Sequence, residues 1–315
     1  MRLYRDWNSL PAAARGAIAA IGNFDGVHRG HAAVIGEAVA RARKAGRPAA
    51  IVTFEPHPRR FFKPDLPPFL LASPHLKIDA LRDLGVDLCF VLRFDKRLSS
   101  MTADAFAGDV LAKGLGLACV VAGYDFVFGK GRGGNAQTLI ADMRAQGADA
   151  AIVPAARDDS GGGALVFSST AVREALKGGD PKAAARILGR NFAIDGRVRK
   201  GDQRGRTIGF PTANIALGPY MPPKLGVYAV RVKGAAAKPV NGVANIGIRP
   251  TAGGDLAPRL EAHLFDFAGD LYGKRLIVEL VDFVREERKF ESFDALKTQI
   301  ARDAETARTI LAHSQ

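Results

Sequence analysis

Short apolar runs alternate with amphipathic stretches throughout the first half of the chain. The runs AIAAI (17–21), AAIVTFEP (49–56), VDLCFVLRFD (86–95), ACVVAGYDF (118–126) and ADAAIVPA (148–155) have the length and apolarity of buried strands. Between them, apolar residues recur at helical spacing near 31–45 and in SPHLKIDALRDLG (73–85), TADAFAGDVLAKGLG (102–116) and NAQTLIADMRAQG (135–147). Strictly alternating strands and helices predict a parallel sheet covered on both faces. The order fits a doubly wound α/β fold that binds nucleotides beyond the C-terminal ends of its strands.

After residue 190 the period changes. FAIDGRVRK (192–200), ANIAL (213–217), GVYAVRVKG (226–234), PVNGVANIG (239–247), LEAHLFDF (260–267) and RLIVELVDFV (275–284) are successive strand candidates separated by turns containing Gly or Pro. In GVYAVRVK, Tyr228, Val230 and Val232 alternate with Ala229, Arg231 and Lys233, as in a half-buried strand. A closing helix over 292–313 starts at Ser292, a good N-cap. Strands followed by one helix predict a small antiparallel β-barrel with a C-terminal helix packed on it. The expected division is therefore 1–185 for the α/β domain and 186–315 for the barrel.

Composition adds a constraint. The 315 residues suffice for two cores, and 47% hydrophobic with 24% charged residues is the balance of a soluble globular protein. No apolar run reaches bilayer length, and AAARGAIAAIG near the start is too short and too polar for a leader. Cys89 and Cys119 lie in apolar runs and read as buried, reduced thiols, which suits a cytoplasmic enzyme. The net charge of +13 is spread over both parts, with 24 basic against 18 acidic residues in 1–185 and 21 against 14 in 186–315. A charge so dispersed, with neither a basic tail nor an aromatic-studded stripe, suits small phosphorylated ligands as well as it suits nucleic acid.

Two segments are poor core material and rich in chemistry. GNFDGVHRGH (22–31) joins a strand to a helix and delivers His28 and His31 at the helix start, where unpaired N–H groups attract phosphate. Gly22 suits a tight strand exit, and Gly30 suits a ligand approaching closely. The alternatives are a plain turn with two surface histidines, or a zinc site using Asp25, for which no third strong ligand stands at regular spacing. FSSTAVREAL (167–176) places Ser168, Ser169 and Thr170 before a helix with Arg173 one turn in, either as ordinary caps or as a triphosphate clamp. In the second half, GRVRKGDQRGRTIGFPTANI (196–215) holds five basic residues and one acid over 197–206, with glycines at 201, 205 and 209. Its GFPTAN offers the Thr212 hydroxyl and the Asn214 amide oxygen, hard ligands suited to Mg²⁺ and phosphate. Glu261 lies on a strand, where it is either an exposed charge or a proton acceptor.

Together these motifs resemble the bacterial bifunctional riboflavin kinase/FMN adenylyltransferase family. G-x-F-D-x-x-H-x-G-H, TFEPHP (53–58), GYDFVFG (123–129) and S-S-T-x-x-R resemble its adenylyltransferase half, an HxGH nucleotidyltransferase, and occur in family order. GFPTAN, GVYAV, ANIGIRPT, Glu261 and DLYG resemble its riboflavin kinase half. The resemblance implies that Gly22, Asn23, Phe24, Asp25, His28 and His31 hold ATP for adenylylation. It further implies that Ser168, Ser169, Thr170 and Arg173 complete the phosphate site. Asp125 stands where some members carry asparagine. For the kinase it implies nucleotide or flavin contacts from Gly201, Arg206, Gly209, Pro211, Thr212, Asn214 and Arg249, Mg²⁺ at Thr212 and Asn214, and Glu261 as catalytic base. His28 and Arg173 are the implied catalytic groups of adenylyl transfer. Phe62, Phe126 and Phe128 are candidates to stack on the flavin ring. The implied partners are riboflavin, FMN and Mg-ATP, with neither a membrane nor nucleic acid; oligomeric state leaves no signal.

Overall fold

In a computed structural model, which describes residues 1–158, 165–199, 210–250 and 256–314, the chain forms two compact units. One comprises Met1–Leu66 and Lys77–Phe167, the other Pro67–Leu76 and Ser168–Gln315.

The first unit is the expected parallel sheet. Its strands are β1 (Arg2–Tyr4), β2 (Ile18–Ile21), β3 (Ala49–Glu55), β4 (Leu88–Arg93), β5 (Cys119–Gly123) and β6 (Asp149–Val153), in the order β1-β4-β3-β2-β5-β6. Every pairing is parallel. Side chains alternate between two cores: Ala19, Ile21, Val52, Phe90 and Val120 face one, while Ile18, Ala20, Ile51, Cys89 and Val121 face the other. Burial on both faces explains why these strands read as continuous apolar runs. Helix α1 (Arg29–Lys44) covers one face with Val34, Ile35, Ala38 and Ala42. Short α2 (Pro58–Phe62), α3 (Pro74–Asp83), α4 (Lys96–Ser99) and α5 (Ala103–Ala105) follow.

Phe106–Gly114 continues α5 as a π-helical segment, where the sequence pattern predicts an ordinary α-helix. Leu115 N–H reaches back five residues to the Val110 carbonyl at 2.8 Å. A Cβ on Gly114 would meet Trp7 at 2.7 Å, so this turn is packed tightly against an aromatic ring. Helix α6 (Ala136–Ala145) begins with a capping box between Asn135 and Thr138. A two-stranded ribbon, β7 (Arg157–Asp158) with β8 (Leu165–Val166), ends the unit. Edge strand β1 leaves no trace in the apolar pattern, because two of its three residues are exposed. Burial pushes the Cys89 and Cys119 thiols up to about 11, so both stay protonated at neutral pH.

The second unit starts with α7 (Ser169–Gly178) and α8 (Pro181–Leu188), ended by Gly179 and Gly189 in left-handed conformations. Six antiparallel strands follow: β9 (Phe192–Arg197), β10 (Ala213–Ala216), β11 (Gly226–Lys233), β12 (Val240–Pro250), β13 (Leu256–Leu264) and β14 (Arg275–Glu286). Their order is β10-β13-β12-β11-β14-β9, and a bridge from Arg199 to Asn214 nearly closes the barrel. Helix α9 (Phe293–His313), capped by Ser292 as expected, packs Ala307 and Leu311 on Val227, Ala229 and Val243. A fork from Arg285 to Asp303 (2.7–3.1 Å) pins it to β14. Inside the unit, Asp195 accepts from the Tyr220 hydroxyl and from Arg275 Nε at 2.7 Å. Burial alone would raise the Asp195 carboxyl, but hydrogen bonds from Ser73, Tyr220 and Arg275 hold it below its ordinary value.

Candidate active sites

The sheet order reverses between β2 and β5, which extend from the middle of the sheet, and ligands of such folds bind where the order reverses. The two loops that leave these strands at that point are Gly22–His28 and the segment from Gly123, each singled out by its sequence. The first loop is strained: Phe24 (φ 49°) and Val27 (φ 42°) flank Gly26 (φ 81°) in the left-handed region. Such backbone in non-glycine residues costs on the order of 1–3 kcal/mol each and persists only where the surroundings enforce it. Burial of Phe24 and Val27 supplies part of that enforcement. Gly22 makes room for the Phe24 ring, since a Cβ there would lie 3.2 Å from it.

His28 is the N-cap of α1 and not a residue on its face. Its Nδ1 accepts from the His31 N–H at 3.2 Å, so a neutral His28 carries its proton on Nε2. The His28 and His31 rings stack at 3.6 Å, and Phe24 meets His31 edge-on at 5.3 Å. His31 Nδ1 is shut off from solvent and has no partner among the described residues. Burial, and then the nearby His28 and Lys77, hold the His31 imidazole well below its usual range, so it is neutral at neutral pH. Gly30 faces protein and not open space, which corrects its expected role: a Cβ would lie 2.7 Å from the Phe167 carbonyl and 3.0 Å from the His28 ring. Asn23 is exposed, Asp25 is buried, and Asp125 is exposed after β5. No group of three or more His, Cys, Asp or Glu side chains able to share a metal ion occurs among the described residues.

The aromatic candidates separate clearly. Phe128 is buried on Phe106 and stacks with Phe126 at 5.4 Å, so both belong largely to the core. Phe62 is 64% exposed and backed by Phe61 and Phe94, which leaves its ring able to meet a flat ligand.

Ser168, Ser169, Thr170 and Arg173 lie in the second unit. Ser168 caps α7 by accepting from Ala171 N–H at 3.1 Å, while Ser169 and Thr170 sit within the first turn and not before it. Arg173 Nε donates to the Phe69 carbonyl at 3.0 Å, and its guanidinium lies over the Phe69 ring.

In the barrel, strand register assembles a second candidate site. Glu261 on β13 is directly opposite Asn214 on β10 and Asn245 on β12, which puts Asn214, Glu261 and Asn245 in one row on one face. Asn214 is buried, and its amide nitrogen turns towards the Thr212 carbonyl at 3.5 Å. His263, two residues from Glu261 and so on the same face, bonds the Pro211 carbonyl through Nδ1 at 3.0 Å and meets Phe210 edge-on. Gly247 admits a carboxylate, since a Cβ there would lie 2.4 Å from Glu287 Oε1 and 3.1 Å from Asn245 Nδ2. Arg249 pairs with Ala257 in the β12–β13 ladder. Gly201, Arg206 and Gly209 lie outside the described residues. Asn245, His263 and Lys77 were not singled out in the sequence; ANIG and LEAHL contain the first two, but only register shows what they face.

Comparison with known proteins agrees with both halves. A family model for FAD synthetase matches residues 10–169, and one for riboflavin kinase matches 188–311. The protein described as bifunctional riboflavin kinase/FMN adenylyltransferase in Escherichia coli (strain K12) is 44% identical over 309 residues, covering 98% of this chain and 97% of that one. Those from Pseudomonas fluorescens and Bacillus subtilis (strain 168), described in the same words, are 43% and 36% identical, covering 100% and 92% of this chain and 99% and 91% of theirs. A solved structure described as a macrolide-efflux protein from Streptococcus pneumoniae superimposes with a TM-score of 0.83 at 30% identity, covering 97% of this chain and 98% of that one. Among the described residues of the present chain, no helix is long and apolar enough to cross a membrane.

Proposed function

The chain belongs to the bifunctional riboflavin kinase/FMN adenylyltransferase family, and on that premise we propose how its residues divide the work. The C-terminal domain phosphorylates riboflavin with ATP to give FMN. The N-terminal domain adenylylates FMN with ATP to give FAD and pyrophosphate. We assign the second activity to residues 1–185 and the first to 186–315, a boundary that follows the Ser168–Arg173 motif and not packing alone. Reduced thiols and a dependence on ATP favour a cytoplasmic setting.

The chemistry accounts for the different residues. Riboflavin offers a neutral primary hydroxyl, which must lose its proton as its oxygen attacks the γ-phosphorus and ADP leaves. Glu261 receives that proton, held on a strand between two amide side chains that cannot compete for it. Thr212 and Asn214 offer uncharged oxygens that fit Mg²⁺, and Pro211 is fixed beside them through His263. Bound with ATP, Mg²⁺ would supply charge neutralisation on the phosphates. Gly201, Arg206, Gly209 and Arg249 are assigned to the same nucleotide and flavin contacts on their motif.

FMN needs no base. Its phosphate is already anionic at neutral pH (second pKa about 6) and attacks the ATP α-phosphorus directly. Adenylyl transfer then requires shape, hydrogen-bond donors and positive charge. Gly22, Asn23, Phe24 and Asp25 shape the ATP loop; His28 and neutral His31 supply ring donors, and α1 supplies its N-terminal dipole. Arg173, with Ser168, Ser169 and Thr170, is assigned to phosphate in this reaction, Asp125 to the nucleotide and Phe62 to the flavin face. The observation that carries this division is the row Asn214–Glu261–Asn245, which gives the barrel a positioned carboxylate. The test follows FMN and FAD by chromatography after riboflavin, ATP and Mg²⁺ are added. Glu261→Ala should stop FMN formation yet convert supplied FMN to FAD, whereas His28→Ala should accumulate FMN. Equal loss of both activities in both folded variants would sink the division.

A further inference from the structure

Lys77 lies on α3 and belongs to none of the motifs above. Its Nζ donates to the Asn23 carbonyl at 2.6 Å and to Thr53 Oγ1 at 2.7 Å. Thr53 Oγ1 in turn donates to the same carbonyl at 3.2 Å. One peptide oxygen thus gathers an ammonium and a hydroxyl from two separate elements, α3 and β3. That oxygen belongs to the residue immediately before the strained run Phe24–Val27. Burial draws the Lys77 ammonium below its ordinary value, with the carboxylates of Glu55 and Asp25 among the groups opposing the shift. Removing a cation from water is costly unless hydrogen bonds offset the loss, and Lys77 makes two of them, to this loop and to β3.

From this juxtaposition we propose that Lys77 is a positioning residue for adenylyl transfer, clamping the Asn23 carbonyl so that the Gly22–His28 loop holds the shape that presents His28 and His31. A methionine of similar length would fill the space but donate nothing, so the loop could relax from its left-handed conformation without a gross change of fold. Arginine would keep both charge and donors. The proposal rests on the assignment of Gly22–His31 to ATP.

The test measures both activities on the same full-length preparations of wild type, Lys77→Met, Lys77→Arg and His28→Ala. Lys77→Met is expected to lower kcat/KM for FMN adenylylation by about 10- to 100-fold, the loss of a charged hydrogen bond. Most of the change should fall on KM for ATP, with riboflavin phosphorylation within about twofold of wild type and Lys77→Arg recovering much of the loss. Adenylylation by Lys77→Met within threefold of wild type, while His28→Ala is impaired, would refute the clamp and leave the ATP assignment standing. Loss of both activities together, or no recovery in Lys77→Arg, would mark Lys77 as a general structural residue and also refute it. Full adenylylation by His28→Ala would remove the ATP assignment, and the proposal with it.

Discussion

The loop after β2 and the row on β13 are built in opposite ways. The N-terminal loop is strained, largely buried, and leads into two stacked imidazoles, of which His31 on α1 is held neutral by its surroundings. The barrel row is relaxed β-structure in which a carboxylate is flanked by amides through ladder register alone. On the proposed division, an attacking phosphate that already bears charge needs only loop shape and donors. A neutral attacking alcohol needs, on the same proposal, a proton acceptor, and Glu261 stands ready on a strand. The first arrangement depends on many neighbours and tolerates little change of volume; the second depends on one side chain and its register.

The largest effect that separates the two regions should come from Glu261→Ala. Loss of the proposed general base is expected to slow riboflavin phosphorylation by about 10²–10⁴-fold, read as initial FMN formation, with FMN adenylylation unchanged. Gly30→Ala should act on the other region by crowding, because its Cβ would press on the Phe167 carbonyl and the His28 ring. A destabilisation of about 1–3 kcal/mol of the N-terminal unit, seen in thermal unfolding, should accompany slower adenylylation.

A pH effect on stability should be smaller and should come from His31 at the start of α1. The folded His31 binds its proton less readily than the unfolded chain, so stability rises with pH between the lowered folded value and about 6.5, and falls as acid is added through that window. Thermal midpoints from pH 7.5 to 5.5 should therefore drop less in His31→Gln than in wild type. Smallest of all should be Asn245→Ala, which removes one flanking amide but leaves Glu261 on its strand. A loss of roughly 2- to 10-fold in riboflavin phosphorylation, with thermal stability retained, would show that the row matters beyond its central carboxylate.

The alternation of strands and helices, the change to antiparallel strands after residue 190, the Ser292 cap and the order of the motifs are all legible along the chain. All of these depend on residues within a turn or two of one another, where side-chain period and capping chemistry act. The π-helical turn over Phe106–Gly114 escaped that reading because apolar spacing scarcely distinguishes it from an α-helix, and β1 escaped because an exposed edge carries no apolar signature. The partners of Glu261, the grip of Lys77 on Asn23 and the protein-facing role of Gly30 emerge only once the chain is folded. Each joins residues on different elements, from Asn245 and Glu261 on paired strands to Gly30 and Phe167 far apart along the chain, and such pairs meet only once strand register and helix packing have set their distance.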